Sequence, residues 1–276
     1  MITTVLAITV IGLIVWLAMP RLTRRLIFKP EAGPHDWVEP SFPGGVIHEH
    51  VFFDTPDGET LHGWLVQQAG NDLVVLICHG NRGSIAGREE TALYYLALGL
   101  NVMMFDYRGY GRSSGTPSES GSYTDVDAAW RLLTHERGFA PNQVVLLGRS
   151  LGAAVAAHLA SHAQPRAVVL ESTFSSLPRL ARELYPILSL FRFGARYDTQ
   201  SKISHITSPL LLVHSVDDEL IGFHHARQLQ DAAPADTPLV SITGRHRDGF
   251  VTSRAVYIPA LVDFLNLSNV RKSASD

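Results

Sequence analysis

Cysteine is nearly missing from this sequence: Cys78 stands alone. No internal disulfide can form, and the cysteine usage leaves the redox compartment open. No charge of one sign dominates either. Lys and Arg total 23 against 26 Asp and Glu, a formal net charge of -3, so the basic surplus that would point to nucleic acid is absent. There is no internal repeat, and no low-complexity tract precedes the polar tail after Val270. Metal-ligand patterns are poor: His48 and His50 share a strand face, but no third and fourth ligand is placed beside them. Cys78 sits inside the apolar run LVVLIC and reads as a buried, inert thiol.

Charge is also missing from Ile2 to Met19, ITTVLAITVIGLIVWLAM. At 1.5 Å per residue, a run of about 18–20 just spans a bilayer core of roughly 30 Å. A cleaved signal peptide would carry Lys or Arg ahead of the apolar stretch. Here Arg21, Arg24, Arg25 and Lys29 come after it. A retained transmembrane anchor over residues 1–20 is expected, with the rest of the chain on the cytoplasmic side by the positive-inside rule. Residues 21–45 hold Pro30, Pro34, Pro40 and Pro43 and read as a linker.

From residue 46 to about 268 short apolar runs alternate with helical stretches. VIHEHVFFD and LHGWLVQQ flank Pro56-Asp57-Gly58 and read as a hairpin. DLVVLIC, NVMMFDY, QVVLLG, RAVVLE, PLLLVHS and PLVSIT read as strands, and the segments between them as helices. Ser122-Tyr-Thr-Asp125 matches a capping box and predicts a helix from there to Gly138. All-apolar strands interleaved with helices predict an α/β fold with a mostly parallel sheet covered on both faces. In such sheets the site lies beyond the carboxyl ends of the strands.

Three of those ends carry chemistry. After QVVLL comes Gly148-Arg149-Ser150-Leu151-Gly152, a G-x-S-x-G between strand and helix, which makes Ser150 the candidate nucleophile. A serine needs a base, and the base needs an acid to hold its tautomer. His246 follows PLVSIT and is the candidate base. Asp218, within Val216-Asp217-Asp218-Glu219 after PLLLVHS, is the candidate acid, with Asp217 the alternative. Glu219 and Asp248 read as solvated or capping, His214 as a packed strand-end residue, and His224 and His225 as surface groups opening a helix. The loop His79-Gly80-Asn81-Arg82 offers backbone N–H groups for an oxyanion. Asn81 with Leu151 is the expected pair, Arg82 the alternative donor, and His79 a brace for the loop. Gly80 is read as permitting close approach of the backbone there.

The runs CHGNRGS, DYRGYGRSSGTPSE (Asp106 to Glu119), GRSLGAAVA, ESTFSSL, SPLLLVHSVDDELIGFHHA and GRHRDGF together resemble the α/β-hydrolase superfamily. More closely, they are similar to its membrane-anchored branch, which includes protein depalmitoylases; Leu26-Ile27-Phe28-Lys29-Pro30 after the anchor fits that branch. The resemblance implies an α/β-hydrolase fold, acyl transfer to water by Ser150, His246 and Asp218, and no cofactor. The step Asp218-Glu219-Leu220 matches the family's acid position. Arg245 and Arg247, one on each side of His246, depart from its usual pattern, and an acidic substrate group is one of two readings of that departure.

The insertion at about 174–200 interleaves Leu177, Leu180, Leu184, Tyr185 and Phe191 with Arg179, Arg182, Arg192 and Arg196. It reads as a short helical lid, either a cap helix packed on the core or an amphipathic face that touches lipid or an acyl chain. The expected activity is a membrane-anchored serine esterase or thioesterase acting on acyl or lipid-like substrates, including acylated proteins. The alternatives are a serine aminopeptidase and a catalytically silent binding member.

Overall fold

The computed structural model describes residues 24–30, 40–186 and 194–267. The apolar segment Ile2–Met19, most of the linker, the centre of the 174–200 insertion and the polar tail lie outside them. No helix among the described residues is long and apolar enough to cross a membrane.

Eight strands form one sheet: β1 (Val46–Asp54), β2 (Thr60–Gln68), β3 (Leu73–Cys78), β4 (Leu100–Phe105), β5 (Val144–Arg149), β6 (Ala167–Glu171), β7 (Leu210–Ser215) and β8 (Leu239–Ile242). Their spatial order is β8-β7-β6-β5-β3-β4-β2-β1. β1 pairs antiparallel with β2, and β2 with β4; the six strands from β4 to β8 are parallel. The opening hairpin turns at Gly58, whose φ is +90°.

Side chains alternate across the sheet, as strand geometry requires. In β3, Val74, Leu76 and Cys78 enter one core, while Val75 and Ile77 enter the other. The first core is closed by α2 (Glu119–Arg131), α3 (Leu151–Ala160) and α6 (His224–Ala232), and the second by α1 (Glu89–Ala97) and α7 (Arg254–Leu265). Between α3 and α6 the chain adds α4 (Leu177–Leu184) and α5 (Thr199–Ile203). A strand buried on both faces has no polar side to show, which is why these runs read as continuously apolar.

One helix start differs from the sequence reading. α2 begins at Glu119, capped by Ser118, whose hydroxyl accepts the Gly121 N–H at 3.0 Å. Ser122 and Asp125, expected as its capping box, lie inside the helix. The Ser122 hydroxyl meets Glu119 O and Tyr197 Oη, and Asp125 accepts from the backbone and guanidinium of Arg108 at 2.8 Å each. Tertiary partners took both side chains from the local cap. The glycine at position 121 leaves room inside the helix for Arg108: a Cβ there would fall 2.4 Å from Arg108 Cδ.

Cys78 is fully buried, and desolvation pushes its thiol far above the ordinary range. The folded protein is expected to leave a thiol reagent such as dithionitrobenzoate unreacted until denaturant is added; prompt stoichiometric reaction in buffer would contradict this burial.

Candidate active site

The chain runs out along β3 to β4 on one side of the sheet and returns at β5 on the other. Strand order therefore reverses between β3 and β5, opening a crevice at their carboxyl ends. The loop after β3 and the turn after β5 meet there.

β5 ends at Arg149 and α3 starts at Leu151, so the reversal from strand to helix is made at Ser150. Its φ of 55° and ψ of -120° are rare for a residue with a side chain and cost on the order of 1–3 kcal/mol. The neighbouring strand holds the strain in place: Ser150 N donates to Glu171 O at 2.9 Å, and Thr173 Oγ1 donates to Ser150 O at 2.9 Å. The turn closes only over glycine. A Cβ at Gly148 would lie 2.5 Å from Ala153 Cα, and one at Gly152 would lie 2.1 Å from Cys78 O. Gly80 is different. A Cβ there would make only ordinary contacts, at 3.6 Å with Arg149 O and Ser150 Cβ.

His246 Nε2 lies 3.0 Å from Ser150 Oγ, and His246 Nδ1 lies 2.8 Å from Asp218 Oδ2. A carboxylate only accepts, so Nδ1 carries the ring hydrogen and Nε2 turns its lone pair to the serine hydroxyl. The Asp218 side chain is fully buried. Burial pushes its carboxyl pKa up. The hydrogen bond to His246 and its electrostatic attraction, with the N–H groups of Ile221 and Leu220, outweigh that and hold it below the usual range.

The other acids near His246 grip its loop. Asp217 accepts from Gly244 N at 3.2 Å, Glu219 from His246 N at 3.0 Å and Asp248 from Arg245 N at 2.8 Å. Arg245 meets Glu219 at 3.4 Å, whereas Arg247 lines the crevice. His214 is buried and donates to Ile221 O at 2.8 Å.

Asn81 and Leu151 both line the same cavity as Ser150 and His246. As the first residue of α3, Leu151 has no partner for its N–H within the helix. The Asn81 loop is held by its other groups: Nδ2 donates to Ile27 O at 2.6 Å, and its carbonyl accepts from Lys29 N and Tyr110 Oη, each at 2.9 Å. His79 braces the loop through Nδ1 and Gly80 O at 2.7 Å. Segment 27–29, next to the expected anchor, is therefore part of the wall beside the serine.

Sequence reasoning missed a buried network behind the serine. Arg149 pairs with Glu171 at 2.7 Å and lies 3.5 Å over the Phe250 ring; Tyr257 donates to the other Glu171 oxygen, and Tyr95 meets Tyr257 at 3.0 Å. The signal was a Glu closing an otherwise apolar strand. Removing one member of a buried pair strands the other charge. Glu171→Gln is expected to lower unfolding free energy by about 3 kcal/mol, read as a lower urea midpoint; an unchanged midpoint would show the network to be slack.

Among the described residues, two clusters outside this crevice have metal-compatible donors: Asp127 with His158 and His162, and Glu183 with His224 and His225. In the second, Ser175 N donates to His225 Nδ1 at 3.2 Å, leaving Nε2 to donate to Glu183 at 3.0 Å. That tautomer suits a tie between α4 and α6. His225 is buried rather than the surface group expected from its position.

The cavity measures about 620 Å³. Leu177, Leu180, Ala181 and Leu184 of α4 form an apolar wall facing Ser150 and His246. Leu26, Leu184, Tyr185 and Leu220, all large and exposed, also line it. A cluster of exposed apolar side chains marks a binding surface more often than chance exposure does.

Residues 74–191 match the family model of the alpha/beta hydrolase fold. The uncharacterized protein Rv2307c of Mycobacterium tuberculosis is 35% identical over 246 residues, covering 88% of this chain and 86% of its own length. The uncharacterized protein YfhR of Escherichia coli K12 is 31% identical over 261 residues, covering 90% and 88%. Among solved structures, the Pyrococcus furiosus esterase Pf2001 superposes with a TM-score of 0.71 at 19% identity, covering 87% of this chain and 97% of that one. With the strand order, the serine turn and these relatives together, the chain belongs to the α/β-hydrolase family.

Proposed function

We propose that the protein is a serine hydrolase that cleaves carboxylic ester or thioester bonds of acyl substrates. The observation that carries this reading is the hydrogen-bonded line from buried Asp218 through His246 to Ser150, at 2.8 and 3.0 Å. His246 Nε2 takes the Ser150 proton as Oγ bonds to the carbonyl carbon. Asp218 holds the ring and stabilises the imidazolium. The backbone N–H groups of Leu151 and Asn81 receive the oxyanion, each worth about 3 kcal/mol of barrier. Collapse breaks the bond to the leaving alcohol or thiol, which His246 protonates. Water, deprotonated by His246, then attacks the acyl-serine and restores the hydroxyl.

The apolar wall of α4 supports an acyl chain as the group held beside the serine. The uncharged run Ile2–Met19, ahead of the segment that braces the Asn81 loop, supports attachment to a membrane, as in the depalmitoylase-type branch. A panel of chromogenic acyl esters and aminoacyl anilides tests the reading. Ester cleavage that rises with chain length and is lost in His246→Ala is expected. Faster cleavage of the anilides would favour a peptidase instead.

A further inference from the structure

Charge in the crevice is one-sided. Lys29, Arg82, Arg88, Arg149 and Arg247 line it, and among the described residues no Asp or Glu does, in a chain whose net charge is -3. Arg149 is matched by Glu171 behind the wall. Lys29 and Arg82 are aligned partners in a short parallel bridge, two exposed cations held side by side. Like charges opposed in this way repel unless something negative lies between them. Arg88 is pinned next to them, donating to Ser84 O and Arg82 O at 2.9 Å each. Arg247 adds a further cation directly after the base.

A row of surface cations is ordinarily a solvated face. These differ in sharing one cavity with Ser150 and with the apolar side chains of α4. The cavity is thus amphipathic: apolar side chains of α4 line it together with Lys29, Arg82, Arg88 and Arg247. His246 is also the group that protonates the departing oxygen or sulfur, so Arg247 marks the leaving-group side.

We infer that the cationic rim is an anion-binding subsite, and that the substrate is an acyl ester or thioester whose alcohol or thiol half carries a phosphate or carboxylate. This rests on the serine-hydrolase reading and adds the charge of the leaving half to it.

The full chain, in an uncharged detergent, would be assayed with matched pairs of one acyl length. Dodecanoyl-glycerol 3-phosphate against dodecanoyl-glycerol tests phosphate; S-dodecanoyl-glutathione against S-dodecanoyl-N-acetylcysteamine tests carboxylate. The charged member of at least one pair is expected to have the higher kcat/KM, by about tenfold at low salt, mostly through KM. Raising ionic strength should erode that ratio. The double variant Lys29→Gln/Arg82→Gln should bring it close to one. The pair that shows the preference identifies the anion.

Equilibrium binding of dodecyl phosphate, dodecanoate and dodecyl maltoside to Ser150→Ala provides a reading independent of turnover. Tighter, salt-sensitive binding of either anion supports the subsite even if neither ester pair is cleaved, a result that would count against the hydrolase reading alone. A ratio at or below one in both pairs, or anion binding no tighter than that of the maltoside, overturns the subsite and leaves the hydrolase reading standing.

Discussion

Ser150→Ala is expected to lower kcat on an acyl ester by about 10⁵–10⁶-fold, the size of loss that removing the nucleophile causes when nucleophile and base act as one unit. Oγ is the atom that His246 Nε2 faces at 3.0 Å, and alanine leaves nothing there for the base to activate. Stability should hardly move. The φ of 55° remains strained for alanine as for serine, and the backbone bonds to Glu171 and Thr173 are kept. Steady-state kinetics beside a thermal melt separates the two readouts. A loss smaller than about a hundredfold with an unchanged melt would mean that Ser150 is not the attacking group.

Asp218→Asn is expected to cost about 10⁴-fold in kcat. An asparagine can turn its NH₂ toward His246 Nδ1, which puts the ring hydrogen on Nε2 and leaves Ser150 facing a donor. The same variant alters stability in acid. Burial raises the Asp218 carboxyl pKa, but the His246 contact and two backbone N–H groups lower it by more, so its folded pKa lies below the ordinary value. A depressed carboxyl pKa stabilises the fold fully above the unfolded value, near pH 4, and that stabilisation is lost as pH falls through the folded value. The variant should therefore lose less stability than the parent below about pH 4. An Asp218→Asn protein with near-parental kcat would point to Asp217 as the acid.

Much of the fold was legible in the sequence because its signals were redundant. Each parallel strand is an unbroken apolar run, and the hairpin turn at Gly58 and the glycine-flanked serine sit where their geometry demands them. Ser150, His246 and Asp218 could be picked out because each follows a strand, and the parallel sheet brings those ends together. What was not legible depended on partners distant in sequence. Ser122 and Asp125 matched a capping box locally, but Tyr197 and Arg108 claimed them. Gly121 precedes the expected start at Ser122, yet it is a helical residue that makes room for the Arg108 side chain. The tie from Glu183 to buried His225, and the pair from Arg149 to Glu171, each join elements whose approach no local pattern encodes. The cationic rim is of the same kind: Lys29 and Arg82 are 53 positions apart and meet only when segment 27–30 docks on the Asn81 loop.

The central claim is that Ser150 is an activated nucleophile. It is tested most directly by treating the folded full-length protein with a fluorophosphonate and locating the adduct by peptide mass spectrometry. A single adduct on Ser150, lost in His246→Ala and strongly slowed in Asp218→Asn, is the expected result. A folded protein that takes no label, or takes it at another residue, would contradict the account.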